Sequence, residues 1–307
     1  MPSELFCKIV EEGRAANIIH VTLTGGEPML HPDFAGFLKK CRELDLSVNV
    51  LSNLTLLNDE VIAEMKKNPL LSVQASLYSM TPSVHDEITQ LAGSFEKTRS
   101  GILRLIEAGI PVQISCQVMR QNRDSFAEVV RWGNEHNIPA AFNYMIFGEY
   151  DRTNENLQNR LSVAEVAEAF DTQISVGYAK SLKAEADSKI LLGADTPVCS
   201  VCRYYFGVTV EGDAFPCAGW QSKKLGSLRE MSIADIWEKS PDVEYLRQIK
   251  LKDFPKCVDC EDRGYCTICM MSNSNKNPDG DIFRPSSFQC EAAAMVHAKV
   301  NELVKGD

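Results

Sequence analysis

The sequence predicts an α/β chain in which a curved parallel sheet with crossover helices is followed by a small cysteine-rich domain, and three observations predict it. Over residues 1–150 short β-branched runs alternate with stretches of helical periodicity, the pattern of parallel strands joined by helices. The strand candidates divide into an apolar and a polar face. Eight of the eleven cysteines lie between Cys199 and Cys290.

The first element is a helix over Glu4 to Arg14, running into a strand at Ile18 to Leu23. A helix follows from Asp33 to Leu44, with Phe34, Phe37, Leu38 and Cys41 at i, i+3, i+4 and i+7, so Cys41 is a small core residue. Further strands are read at Ser47 to Leu51, Leu71 to Leu77, Pro111 to Val118 and Ala140 to Met145. Buried parallel strands normally read as continuous apolar runs. These do not. Val112, Ile114, Cys116 and Val118 alternate with Gln113, Ser115 and Gln117, which also makes Cys116 core. Ser72, Gln74 and Ser76 stand opposite Val73, Ala75 and Leu77, and Asn49 with Asn53 opposite Val48 and Val50. A polar face shared by neighbouring strands suits a barrel-like sheet around a solvated or ligand-filled lumen. An open sheet with scattered hydrogen-bonded polar residues is the alternative.

The polar, asparagine-rich stretch from Glu149 to Asn159 reads as a loop over the barrel mouth. Ser162 then caps a helix through Val166, Ala169 and Phe170, with Glu165 at the capping-box position. Gly193, Asp195 and Pro197 mark a boundary that divides the chain into residues 1–192 and 193–307. In the second domain a β-ribbon from Tyr205 to Val210 turns at Glu211-Gly212-Asp213. The segment Ile233 to Trp237 and a terminal helix after Cys290, carrying Ala294, Val296, Val300 and Leu303, pack around the cysteine sites; Trp220 and Trp237 read as core.

The cysteines are spaced Cys199-x2-Cys202-x14-Cys217 and Cys257-x2-Cys260-x5-Cys266-x2-Cys269-x20-Cys290. Short Cys-x2-Cys loops point two thiolates at one ion or cluster face, and more distant cysteines close each site, so eight thiols suit two four-thiolate metal sites. Disulfides belong to oxidising compartments, and the N-terminus MPSELFCKIVEEG has neither the basic nor the apolar region of a secretion signal. The five residues between Cys260 and Cys266 are fewer than zinc-ribbon pairs usually leave, which favours iron–sulfur clusters and keeps structural zinc as the alternative.

With 307 residues, 44% of them hydrophobic, the chain is ample for a core, and no stretch approaches a transmembrane helix. A formal net charge of −10 lacks the clustered Lys and Arg that a nucleic-acid groove requires. The expectation is a cytoplasmic protein with no nucleic-acid or membrane partner.

Thr24-Gly25-Gly26-Glu27-Pro28 ends the first strand, where α/β proteins place ligand chemistry. The glycines admit a ligand close to the backbone, Pro28 stiffens the turn, and Glu27 offers a fixed carboxylate to an ammonium group. The plainer alternative is a strand-terminating turn with a solvent-exposed glutamate. This TGGEP segment, SNLTLL at Ser52 to Leu57, QASL at Gln74 to Leu77 and the cysteine tail with its Cys202-x9-Gly212-x4-Cys217 stretch together resemble a radical S-adenosylmethionine (SAM) enzyme with a C-terminal SPASM domain.

The resemblance covers essentially the whole chain and implies a partial (β/α)6 TIM-like barrel of parallel strands followed by a small iron-sulfur domain. It implies SAM contacts from Gly25, Gly26, Glu27 and Pro28, with Asn53 and Ser76 at strand ends facing the cofactor, Ser76 toward the ribose, and Gln117 on the same lumen face. It implies two auxiliary [4Fe-4S] clusters with interleaved ligands, the first on Cys199, Cys202, Cys217 and Cys269, the second on Cys257, Cys260, Cys266 and Cys290. The implied activity is reductive cleavage of SAM and hydrogen-atom abstraction from a peptide or protein side chain. The implied partners are that substrate and an electron donor such as ferredoxin or flavodoxin.

The chain departs from the family in one large respect, because the Cys-x3-Cys-x2-Cys motif of the radical-generating [4Fe-4S] cluster is absent. In relatives it lies well upstream of GGEP, whereas 24 residues precede Gly25 here, and Cys7 cannot replace three ligands. The expectation is an N-terminally truncated chain without the first strand, the cluster loop or a leader-peptide-binding module. Smaller departures are Tyr78-Ser79 where many relatives carry Asp-Gly, and two residues rather than three between Cys266 and Cys269. Glu149 and Asp151 are acids without an assigned role, and no catalytic acid or base is read. Two other functions stay open from the sequence: a non-catalytic iron–sulfur scaffold that carries electrons or binds a peptide, and a zinc-stabilised binding module.

Overall fold

The computed structural model describes residues 1–306. By compactness the chain divides into a unit of Met1–Met145 and a second unit beginning at Ile146.

The first unit is a five-stranded, wholly parallel sheet in the order β1-β2-β3-β4-β5. The strands are β1 His20–Leu23, β2 Ser47–Ser52, β3 Leu71–Ser76, β4 Val112–Gln117 and β5 Ala140–Asn143, within two residues of the expected limits. α1 Ser3–Ala15 precedes them, and between them run α2 Phe34–Glu43, α3 Asp59–Lys66, α4 Pro82–Thr89, α5 Ser94–Glu107 and α6 Phe126–Glu135. One face of α1 buries Leu5, Phe6, Val10 and Gly13, and Phe6 stacks on Phe37 of α2 with ring centroids 4.0 Å apart. Burial alternates along the strands: Val48, Val50, Val73, Ala75, Ile114 and Cys116 are buried, and α2, α5 and α6 contact the strands.

The other face keeps the predicted polar set in register. Thr22 pairs with Asn49 and Asn49 with Ser72, Gln74 with Gln113, Ser76 with Ser115, and Gln117 with Asn143. The Ser72 hydroxyl donates to Asn49 Oδ1 at 3.1 Å. The polar residues therefore form cross-strand ladders on one face, not scattered buried positions.

The second unit contains α7 Val163–Asp171, α8 Val176–Ile190, β6 Gly207–Val208, β7 Asp213–Phe215, β8 Gly226–Ser227, α9 Ile233–Lys239, α10 Pro241–Gln248, α11 Pro255–Val258, α12 Met270–Lys276 and α13 Ser287–Lys305. The expected capping box starts α7: Ser162 Oγ accepts from the Glu165 N–H, and the Ser162 N–H donates to Glu165 Oε2 at 2.7 Å. Phe170 of α7, Ala179 of α8, and Val296 and Val300 of α13 form one buried cluster.

Two expectations for this unit are corrected. The ribbon is shorter than Tyr205 to Val210, because the Tyr205 carbonyl accepts from Cys202 N at 3.0 Å and draws that end into the cysteine loop; a third strand, β8, pairs with β7 instead. Gly212, at φ +91°, makes the predicted turn. The terminal helix starts at Ser287, so Cys290 lies in its first turn rather than before it. The stretch from Glu149 to Asn159 is a turn followed by a 3₁₀ helix, Glu155–Asn159. Among the described residues no helix is long and apolar enough to cross a membrane.

Candidate cofactor and metal sites

The Thr24–Pro28 turn stands at the C-terminal end of β1. Gly25 has φ +145°, a conformation that side chains other than glycine's rarely adopt, and a Cβ added at Gly25 or Gly26 would meet nothing within 4 Å. The turn thus borders open space. Glu27 is not the solvent-exposed residue of the plainer alternative; it is buried, with 9% of its surface accessible. Its Oε1 accepts from Met29 N at 3.0 Å and from Ser52 Oγ at 2.8 Å. Its Oε2 accepts from Asn53 N at 2.8 Å and from Ser52 Oγ at 3.0 Å. One carboxylate therefore caps the 3₁₀ turn Pro28–Leu30 and fastens it to the end of β2.

The other candidates stand in the same row of strand ends. Asn53 follows β2; its Oδ1 accepts from the Thr55 N–H and hydroxyl at 2.9 and 2.7 Å, while its carbonyl accepts from Thr98 Oγ1 at 2.7 Å. Ser76 ends β3 and pairs with Ser115 of β4. Gln117 ends β4, and its amide donates to the Asn143 carbonyl at 2.6 Å and that of Val118 at 3.2 Å. Beneath them Asn122, fully buried, donates to the Tyr78 and Gln117 carbonyls at 2.8 and 2.9 Å and accepts from Met119 N at 2.8 Å, joining the loops after β3 and β4. In the loop after β3, Tyr78 stacks on buried His85 and Ser79 is fully buried against the Ser125 hydroxyl at 2.9 Å. Burial pushes the His85 imidazole below its usual range.

Sequence reasoning missed Ser52, Thr98 and Asn122, the residues that fix this row. Ser52 carried a signal: by alternation it falls with Val48 and Val50 on the apolar side, where an unexplained polar residue implies a partner.

The thiols of the second unit gather in two neighbourhoods. Burial pushes Cys217 up to about 11, with Cys269 and Cys199 adding to the rise; Cys202 also rises to about 11 through burial, Cys199 and Cys217, against the opposing Arg247. Cys269 is raised by burial and by Cys199, against the Ser272 N–H, which reaches its sulfur at 3.4 Å from the first turn of α12. In the other neighbourhood, burial, Cys290, Cys257 and Cys260 push Cys266 up to about 11. Cys257 is raised by burial, Cys290 and Cys260, and Cys290 by burial and Cys260. Cys257, Cys260, Cys266 and Cys290 line one cavity of about 90 Å³, with Cys269 and Asn273 also in its wall.

Crowded buried thiols resist ionisation together, and a cationic centre among them reverses that preference. All-sulfur donor sets fit thiophilic iron or zinc. Among the described residues no three Cys, His, Asp or Glu side chains converge as a single bare ion requires. A four-iron cluster spreads its thiolates further apart than one ion does. Asn273 Oδ1, buried and without a partner, lies in the cavity wall.

A family model described as the radical SAM superfamily matches residues 2–133, and one described as SPASM, an iron-sulfur cluster-binding domain, matches residues 199–261. The AdoMet-dependent heme synthase of Methanosarcina barkeri is 26% identical over 278 residues, covering 80% of this chain and 76% of its own length. The PqqA peptide cyclase of Granulibacter bethesdensis is 22% identical over 276 residues, covering 86% and 72%. Among solved structures, Streptococcus suis SuiB bound to its precursor peptide SuiA matches with a TM-score of 0.71 at 17% identity, over 94% of this chain and 69% of that one.

Proposed function

From the premise that this chain belongs to the radical SAM superfamily and carries a SPASM iron–sulfur domain, we propose that it is a peptide- or protein-maturing oxidoreductase that cleaves SAM reductively and abstracts a hydrogen atom from a substrate side chain. The observation that carries this reading is the Gly25-Gly26-Glu27 turn, locked to β2 and bordering open space, at the rim of a polar sheet face. SAM, if bound there and reduced by one electron, would supply the carbon radical that takes the hydrogen.

The residues of this chain bind and orient. The bare backbone of Gly25 and Gly26 admits the amino-acid end of SAM, with Pro28 holding the turn. Glu27 is fixed by Met29, Ser52 and Asn53, and because Ser52 shares one hydroxyl hydrogen between both oxygens, one acceptor site is left for the ammonium group. Asn53, Ser76 and Gln117 continue the contact surface along β2, β3 and β4, Ser76 toward the ribose.

A peptide substrate is favoured over a tetrapyrrole by the composition of the polar face. Its strand residues, Thr22, Asn49, Ser72, Gln74, Gln113, Ser115 and Asn143 among them, include no Asp, Glu, Lys or Arg. Amides and hydroxyls match the donors and acceptors of a peptide, whereas the carboxylates of a tetrapyrrole require cations. The relatives that act on peptides, PqqA peptide cyclase and SuiB, point the same way.

Two auxiliary [4Fe-4S] clusters are assigned to the two thiol neighbourhoods, Cys199, Cys202, Cys217 and Cys269 for one and Cys257, Cys260, Cys266 and Cys290 for the other. The rise of Cys202, Cys217 and Cys269 beside thiols of the one set, and of Cys257, Cys266 and Cys290 beside thiols of the other, supports this partition. Burial and the Ser272 N–H on Cys269 are the means by which the protein tunes the first cluster's potential. The proposed electron donor is a ferredoxin or flavodoxin, and the proposed location is the cytoplasm, where thiols stay reduced.

The test is 5′-deoxyadenosine formation by the chain extended upstream to any Cys-x3-Cys-x2-Cys in the same reading frame, reconstituted anaerobically and given SAM and dithionite. The expected result is product from the extended chain, abolished by replacing any of those three cysteines. No product from fully loaded extended protein would assign a non-catalytic iron–sulfur scaffold instead.

A further inference from the structure

Three segments distant in sequence meet at one buried side chain of the second unit. Asn275 of α12 is 1% exposed. Its Nδ2 donates to the Gly148 carbonyl at 2.9 Å and to the Gly219 carbonyl at 3.0 Å, groups 127 and 56 positions away. Gly219 lies two residues after Cys217 and directs its N–H at the Cys217 sulfur, so this residue meets the thiol through its N–H and Asn275 through its carbonyl. The helix that carries Asn275 begins directly after Cys269, which caps it. Arg152 adds a bond from its Nε to the Ser274 carbonyl at 3.3 Å.

Residues 146–156 follow β5 in the chain, and besides these bonds they are held by Arg152 Nη1 on the Pro278 carbonyl at 3.5 Å and, within the segment, by Asn156 Nδ2 on the Phe147 carbonyl at 2.8 Å. Glu149, Tyr150, Asp151, Arg152 and Thr153 are exposed, and Thr153 Oγ1 bonds only to the neighbouring carboxylates of Glu149 and Asp151. A segment with so few buried contacts takes its order from its anchor. The anchor is the strap between Cys217 and Cys269.

We propose that Asn275 is a positioning residue that makes residues 146–156 part of the wall of the first cysteine site, so that the segment is ordered by the cluster it borders. This rests on the assignment of Cys217 and Cys269 to one cluster. Loading that site fixes the Gly219 peptide and the start of α12 together, and Asn275 transmits both constraints to Gly148. Without the cluster the strap and the helix move independently and the segment opens.

Hydrogen exchange on the full chain tests this, comparing anaerobically iron-loaded with chelated protein for the wild type, Asn275→Ala and Arg152→Ala, with iron measured in each sample. The expected result is amide exchange across 146–156 about tenfold slower in loaded than in chelated wild type. In Asn275→Ala, at equal iron, that protection is lost while α2 stays protected. Should Asn275→Ala not fold, Arg152→Ala, altered at an exposed position on the same segment, shows the same loss in part. Equal exchange of 146–156 in loaded and chelated wild type, or full protection in a loaded Asn275→Ala, overturns the proposal. Failure of the wild type to take up iron overturns the cluster assignment itself, and the two failures are told apart by the iron measurement.

Discussion

Replacing Glu27 separates a carboxylate that builds the Thr24–Pro28 turn from one that merely decorates it. Its two oxygens accept from three groups, the Met29 and Asn53 N–H groups and the Ser52 hydroxyl, which is shared between both oxygens, at 2.8–3.0 Å in a buried position. In Glu27→Gln one oxygen becomes an NH2 group. Whichever oxygen is replaced, a backbone N–H, that of Met29 or that of Asn53, then faces a donor. A charge-assisted hydrogen bond contributes about 1.5–3 kcal/mol and an unpaired buried donor costs about 1–3 kcal/mol. Because Ser52 can turn its hydroxyl to accept, the net expectation is a loss of about 2–4 kcal/mol for Glu27→Gln, and about 3–5 kcal/mol for Glu27→Ala, which strips every acceptor. The assay is urea unfolding of the first unit followed through Trp132 in a Trp220→Phe, Trp237→Phe background, where the midpoint should fall with the slope unchanged. A Glu27→Gln variant within about 0.5 kcal/mol of its parent, the range of ordinary surface changes, would refute the clamp.

Thr98→Val keeps the shape of the side chain and removes the donor to the Asn53 carbonyl, which should cost about 1 kcal/mol by the same assay and weaken SAM binding measured by calorimetry. Burial pushes the Cys41 and Cys116 thiols up to about 12, so in folded protein at pH 8 both should escape iodoacetamide while denatured protein reacts at both, read by peptide mapping. His85, lowered by burial, binds its proton more readily unfolded than folded, so its contribution to stability is present above its unfolded value of 6.5 and is lost as pH falls below it. The urea midpoint should therefore drop between pH 7.5 and pH 5.5, and drop less in His85→Phe, which keeps a ring beside Tyr78 and Phe95.

The sheet was legible because each strand carries its own alternation: Val48 and Val50, Val73 and Ala75, and Ile114 and Cys116 all mark the buried face. The capping box of Ser162 and Glu165 and the turn at Gly212 were legible for the same reason, since both are local. What stayed hidden depends on partners far along the chain. Glu27 finds Ser52 25 positions away, Asn122 finds Tyr78 44 positions away, and Asn275 reaches Gly148 across 127. No spacing rule encodes such contacts. The short ribbon was misjudged because Tyr205 has good strand propensity, yet its carbonyl is taken by Cys202.

The proposed pair of separate four-iron clusters on eight thiols is tested by the iron and acid-labile sulfide content and the EPR of the anaerobically reconstituted chain and its cysteine variants. Wild type should hold about eight irons. Cys199→Ser and Cys269→Ser should each lose about four, with the same EPR signal missing from both and no further loss in the double variant, while Cys266→Ser and Cys290→Ser remove the other signal. Zinc in place of iron, or a Cys269→Ser variant that loses the signal shared by Cys266 and Cys290, would contradict it.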